Sequence, residues 1–99
     1  MARHTSVRYG LRIVRQEGAL INNDVEPPAG AWVAWYDPDA NQGLGGAEFT
    51  LDPARALAFR TPNAALRCWR QRSHVRPTRF DGKPNRPLTC YTVMCEALP

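Results

Sequence analysis

Basic side chains are concentrated in one short stretch of this sequence, between residues 67 and 86. Asp81 is the only acidic residue there, Trp69 and Phe80 lie among the basic residues, and Tyr91 follows shortly after. Arginine makes planar, bidentate hydrogen bonds to carboxylates and phosphates, which lysine does not. This pattern suits an acidic protein surface, and it equally suits phosphates and stacked bases. We expect the contact to be formed by Arg67, Arg70, Arg76, Arg79, Lys83 and Arg86.

Charge is distributed unevenly along the 99 residues. Residues 1–16 carry +4, residues 17–52 carry −7 and residues 53–99 carry +7, which leaves the net charge of +4. Two interpretations follow. The acidic middle segment neutralises the basic segment inside the fold, or the basic segment stays free to attract an anionic partner.

The loop from Asp37 to Glu48 has part of the spacing of a calcium-binding loop. Asp37, Asp39, Asn41 and Glu48 stand at positions 1, 3, 5 and 12 of that pattern. Gln42 stands where the loop needs a glycine for its sharp turn, and a strand pattern precedes the loop instead of a helix. Asx turns in a solvent-exposed loop are the simpler interpretation. We therefore expect no cofactor.

Groups capable of nucleophilic or metal chemistry are few. The sequence lacks a Cys-x-x-Cys pair, and its three cysteines form an odd count that predicts reduced thiols. Cys68 and His74 are the only cysteine–histidine pair close in sequence, and their separation of six residues places them on different faces. The N-terminal residues lack the apolar core of a secretory signal, and no apolar run would span a bilayer. We therefore expect a cytoplasmic protein that is not an enzyme and has no membrane partner.

The elements that must position the basic residues can be read from the hydrophobic pattern. Alternation from Val7 to Ile13 predicts a half-buried strand with a basic outer face. Trp32 and Trp35 lie three residues apart on the predicted strand 31–36, so we expect them on opposite faces of the sheet. The predicted strands are 7–13, a short 19–21, 31–36, a short 48–51 and 88–97.

A single helix carries the first part of the basic stretch. Thr61 is the expected N-cap and Pro62 the first helical residue. The helix should run to about Ser73, with Trp69 anchoring it in the core, and a long basic loop follows over residues 74–87. Asp52 and Pro53 should start one earlier helical turn.

These elements predict an α+β fold, with a small antiparallel or mixed sheet of four to five strands and one helix packed on one face. The last strand is expected to pair with the first. The length suits one domain over residues 1–99.

Residues 52–69 resemble a pattern found in small phage and prophage proteins, in which a short strand ending in Ala-x-x-Phe runs into a capped helix with alanine on its buried face. Residues 56–59, Thr61 and residues 64–65 match this pattern, and residues 76–93 resemble the tail of such proteins. The resemblance covers roughly the C-terminal half. Phage proteins of this size include inhibitors of host defence such as anti-CRISPR proteins, so it implies a binding protein that blocks a host complex. Many anti-CRISPR proteins are acidic mimics of DNA, whereas this chain is basic.

Overall fold

A computed structural model describes residues 7–16 and 27–99 of the chain. Its sheet has four strands in the order β3-β2-β1-β4, and every neighbouring pair is antiparallel. The α+β prediction and the pairing of the last strand with the first are therefore confirmed. The short strand expected at 19–21 lies outside the described residues. The strands are β1 Tyr9–Gln16, β2 Trp32–Asp37, β3 Gly46–Thr50 and β4 Tyr91–Ala97. The regular helix is α2 Pro62–Trp69, whereas α1 Ala40–Gly43 is a single irregular turn in which Asn41 and Gln42 have left-handed φ angles of 53° and 59°.

One face of the sheet packs on α2 and forms the core. Leu11 and Ile13 of β1 are buried there, as the alternating pattern predicted, while Val7 precedes the strand and is exposed. The rings of Phe49 and Tyr91 meet edge to face, with 5.3 Å between their centroids. The buried members of this core are Leu11, Ile13, Val33, Ala47, Ala65, Leu88 and Tyr91.

Both tryptophans of β2 lie on the sheet face opposite the core, so the prediction that they face opposite sides is wrong. The register shifts between Val33 and Trp35, with Trp32 opposite Thr50 and Trp35 opposite Glu48. Ala34 is the extra residue, and it forms a β-bulge. The bulge reverses the sheet face to which the side chains after it point. Trp32 is 4% exposed, whereas Trp35 is 44% exposed.

The start of α2 follows the predicted capping pattern. The Thr61 hydroxyl accepts a hydrogen bond from the Ala64 N–H at 3.1 Å, and Pro62 is the first helical residue. Ala65 is fully buried, and the Trp69 indole N–H donates to the Tyr91 carbonyl at 3.1 Å. Trp69 therefore joins the end of α2 to the first residue of β4.

The end of α2 comes earlier than predicted, at Trp69 and not at Ser73. The Gln71 N–H turns to the Cys68 carbonyl at 3.1 Å, which tightens the last turn. The Ser73 N–H donates to the Asn85 carbonyl at 2.9 Å and so leaves the helical pattern. A contact distant in sequence thus overrides the local helical preference.

Two further turns flank the helix and the last strand. The Asp52 carboxylate accepts from the Ala54 N–H at 3.0 Å and caps a 3-10 turn over Pro53–Arg55, as expected. Residues Pro87–Cys90 form a second 3-10 turn, so the last strand begins at Tyr91 and not at residue 88. Pro87 is the first residue of that turn, where its missing N–H costs nothing.

We expect Thr61→Ala to lower the free energy of unfolding by about 1 kcal/mol, because the Ala64 N–H loses its side-chain acceptor. Urea denaturation of the two proteins measures the difference. Thr61→Ser keeps the hydroxyl and serves as the control. A Thr61→Ala protein as stable as the original would show that the cap contributes nothing.

Candidate binding surface

The predicted basic loop contains a β-hairpin over residues 77–85. Its two arms are joined by hydrogen bonds from Asn85 N–H to Pro77 C=O at 2.9 Å and from Arg79 N–H to Lys83 C=O at 2.8 Å. The Gly82 N–H donates to the Arg79 carbonyl at 3.0 Å, and Gly82 has a φ of +83°. A turn closed by a left-handed glycine is a common hairpin end. We call residues 77–85 the basic hairpin.

The tip of the basic hairpin carries an aromatic side chain. Phe80 is fully exposed, and the Arg76 guanidinium lies 5.8 Å from the centre of its ring. The Asp81 carboxylate accepts from the Arg79 guanidinium at 2.8 Å and from the Lys83 N–H at 3.0 Å. These bonds are internal to the turn, so they order the backbone on which Phe80 stands.

Asn85 joins the base of the basic hairpin to the rest of the fold. Its side-chain amide donates to the Gly43 carbonyl at 2.6 Å and to the Arg76 carbonyl at 2.8 Å. Gly43 has a φ of +88°, and a Cβ atom at this position would overlap the Arg76 side chain. The close approach of the α1 loop to the hairpin base therefore requires glycine.

The Asp39 carboxylate ties the α1 loop to the turn that enters the basic hairpin. One of its oxygens, Oδ1, accepts from the Ser73 hydroxyl at 2.9 Å, from the His74 N–H at 2.6 Å and from the Val75 N–H at 3.2 Å. The other oxygen, Oδ2, lies 3.5 Å from His74 Nδ1. The His74 N–H, and after it the Val75 N–H, lower the pKa of Asp39 because they stabilise the carboxylate.

The same contacts account for the loop whose spacing suggested calcium. Asp39 directs its carboxylate to protein donors, and Asp37 Oδ1 accepts from the Asp39 N–H at 2.9 Å in an Asx turn. Glu48 is exposed on β3. Within residues 7–16 and 27–99, no three His, Cys, Asp or Glu side chains group in a way that could hold a metal ion.

The six basic residues singled out from the sequence are all exposed. Arg67 lies on α2, Arg70 caps its end, and Arg76, Arg79, Lys83 and Arg86 lie in the basic hairpin or beside it. We call these six residues the basic surface. Across the described part of the chain, only Arg79 of this set pairs with a carboxylate, and that carboxylate belongs to the neighbouring Asp81.

The acidic side chains of the middle segment that the structure describes do not neutralise the basic surface. Asp37, Asp39, Glu48 and Asp52 form no ion pair with the basic surface. Three other acidic residues of that segment, Glu17, Asp24 and Glu26, lie outside the described residues. The basic surface thus keeps its charge toward solvent as far as the described residues extend.

The sequence pattern did not reveal that Phe80 is fully exposed at a hairpin tip or that Asp39 holds the hairpin base. Phe80 had a local signal, because Asp81-Gly82 directly follows it and is typical of a hairpin turn. Asp39 had none, since its donors lie 34 to 36 residues further along the chain.

The cysteines and the exposed histidine do not form a nucleophilic site in the described residues. Cys68, Cys90 and Cys95 are not joined by disulfides. Burial raises the pKa of Cys68 and that of Cys95, which disfavours the reactive thiolate. His74 is directed to Asp39.

Comparison with known protein families, curated proteins and solved structures gives no match for this chain. The resemblance of residues 52–69 and 76–93 to small phage proteins therefore stays a prediction. No helix among the described residues has both the length and the apolar character needed to cross a bilayer.

We expect Asp39→Ala to destabilise the fold, because Ser73, His74 and Val75 lose their shared acceptor. The pKa of Asp39 is lowered in the folded state, so its contribution is present above the unfolded pKa of about 3.9 and is lost as pH falls through the lower folded value. Thermal unfolding from pH 7 to pH 2 should show a smaller acid-induced loss in the variant than in the original protein. An Asp39→Asn variant separates loss of the charge from loss of the acceptor oxygen. Equal acid sensitivity in all three proteins would contradict the assignment.

Proposed function

We propose that this chain is a non-enzymatic binding protein whose basic surface contacts an acidic surface on a protein partner. The observation that carries the proposal is the exposure of all six cations, four of which lie in or beside a hairpin whose own hydrogen bonds hold its shape. Arginine in such a setting can meet carboxylates through two parallel hydrogen bonds.

Preorganisation of the hairpin supports this function. Binding costs free energy whenever a mobile loop or side chain must be ordered in the complex. Here the turn is closed by Gly82 and by the contacts of Asp81, and the base is held by Asn85 and Asp39. Much of the ordering is therefore complete before the partner arrives.

Phe80 gives the surface an apolar anchor among its charges. Aromatic and arginine side chains are enriched among the residues that dominate binding energy at protein interfaces. A fully exposed phenylalanine at the tip of a hairpin fits a recess in a partner, and Arg76 and Arg79 lie where carboxylates around that recess would meet them. We therefore expect the partner to combine an apolar recess with an acidic rim.

The resemblance to small phage and prophage proteins, anti-CRISPR proteins among them, suggests where this partner is found. It favours a complex of a bacterial host defence system, which the bound chain would inhibit. A bacterial lysate is therefore the first source in which to search.

We expect the double variant Arg70→Glu and Arg79→Glu to lose partner binding. The two charge reversals replace attraction by repulsion. They should raise the dissociation constant at least tenfold, which is a loss of about 1.4 kcal/mol of binding free energy. Quantitative capture from lysate identifies the partner, and calorimetry with the purified partner measures the affinity.

The matched control carries Arg55→Glu and Arg60→Glu, which change the net charge equally at exposed arginines outside the basic surface. Circular dichroism verifies that both double variants remain folded. Binding that is unchanged in the first variant, or equally weakened in both, would discard the basic surface as the contact site.

A second candidate function, nucleic-acid binding, is favoured by Phe80 with Arg76 beside its ring. Exposed aromatic rings stack on bases, and arginines neutralise phosphates.

If this second function holds, a duplex or single-stranded oligonucleotide should be retarded in a gel at about 50 mM salt and released by about 200 mM. Phe80→Ala should weaken binding to single strands, while Lys83→Ala should lower the dependence on salt by about one counterion. Absence of retardation at the lower salt concentration would eliminate the nucleic-acid function.

A further inference from the structure

The backbone of β1 shows which way the groups of its neighbour β4 point. The Tyr9 N–H donates to the Phe59 carbonyl at 2.9 Å, and the Ile13 N–H donates to the Ala31 carbonyl at 2.8 Å. Both acceptors lie on the β2 side of β1, away from β4. The direction of backbone hydrogen bonds alternates along a strand, so Gly10 and Arg12 direct their backbone N–H and C=O groups to β4.

The register then assigns the groups of β4. Gly10 lies opposite Glu96, and Arg12 lies opposite Met94, so Glu96 and Met94 direct their backbone groups to β1. β4 is the last strand of the sheet. Val93, Cys95 and Ala97 alternate with Met94 and Glu96 along the strand. Their backbone N–H and C=O groups therefore point to the outer edge of the sheet. We call these groups the β4 edge.

The β4 edge lacks the features that normally prevent strand pairing. Natural edge strands carry lysine, proline, bulges or unpaired inward charges. Tyr91–Ala97 contains no lysine or proline, and its single charge, Glu96, contacts the Arg12 guanidinium at 3.5 Å. The bulge in the pairing of β1 with β4 adds a residue to β1, between Ile13 and Arg15. Within residues 7–16 and 27–99, no backbone group pairs with the β4 edge.

We propose that the β4 edge pairs with the β4 edge of a second copy of this chain, antiparallel, with Cys95 on the twofold axis. In this register Cys95 faces the second Cys95, and Val93 faces Ala97. Each such pair exchanges two backbone hydrogen bonds, so the dimer gains about six. The four-stranded sheet becomes continuous across both copies.

Charge and the free groups select this register. Moving the axis to Glu96 would bring two carboxylates face to face, which is unfavourable. Moving the axis to Met94 would pair Ala97 with Tyr91 of the second copy. The Tyr91 carbonyl already accepts from the Trp69 indole N–H. With Cys95 on the axis, Met94 lies opposite Glu96 of the second copy, and all three residues of the β4 edge are used.

The side chain of Met94 favours a second copy of this chain as the partner of the β4 edge. Its side chain is 54% exposed on the sheet face opposite the core. In the proposed dimer it packs against the aliphatic part of the second Glu96, since pairs of this type bring side chains close together. The inference is independent of the proposed function, because it uses none of the basic surface.

Sedimentation velocity over a range of concentrations tests the dimer. We expect a species of twice the 11.1 kDa chain mass. Met94→Glu places a carboxylate opposite Glu96 and should raise the dimer dissociation constant at least tenfold. The matched control is Leu51→Glu, which adds the same charge at another exposed apolar residue outside β4. A monomer at all concentrations, or equal effects of both variants, overturns the proposal.

Disulfide trapping tests the register. Met94→Cys and Glu96→Cys proteins are mixed and oxidised, because non-hydrogen-bonded pairs bring Cα atoms within reach of a disulfide. We expect a cross-link between the two introduced thiols, which mass spectrometry of proteolytic peptides distinguishes from links through the native cysteines. Each variant alone should form no such link. Efficient self-linking of Met94→Cys overturns the axis at Cys95, and absence of any link between introduced thiols overturns pairing at this edge.

Discussion

Three donors that follow the helix converge on one carboxylate oxygen of Asp39, and the position of the basic hairpin depends on this interaction. The Ser73 hydroxyl and the N–H groups of His74 and Val75 would otherwise have to find other acceptors where the chain leaves α2. By accepting all three, Asp39 determines where the hairpin starts. Gly43 allows the backbone of the α1 loop to approach closely enough for this contact.

The contacts of Asp39 stabilise the fold without using the charges of the basic surface. An acidic residue holds the base of the basic hairpin through neutral donors, so the carboxylate stabilises the fold without pairing with the arginines of the basic surface. Asp81 does pair with Arg79, but it does so within the tip and orders the turn. Within the described residues the positive charge therefore remains toward solvent, where its field extends over distances of about a Debye length.

The basic hairpin and the β4 edge differ in what they offer to a partner. The hairpin presents side chains, that is, cations around one aromatic ring. The β4 edge presents backbone groups, which recognise an extended strand by hydrogen bonding and carry little side-chain specificity. A dimer through β4 would also carry two copies of the basic surface, and bivalent engagement strengthens binding where both sites can be reached together.

Local patterns in the sequence predicted the cap at Thr61, the capped turn at Asp52 and the strand and helix segments that make up the α+β fold, because each of these depends on residues close together in the chain. The tertiary structure decided the rest. It ended α2 at Trp69 through contacts with Asn85 and Asp39, and it placed Trp32 and Trp35 on one face through a bulge set by the partner strand. It also placed Phe80 fully exposed at a hairpin tip, with the Arg76 guanidinium over its ring. These outcomes depend on contacts between residues far apart in sequence, whose free energies exceed the local preferences that a pattern reports.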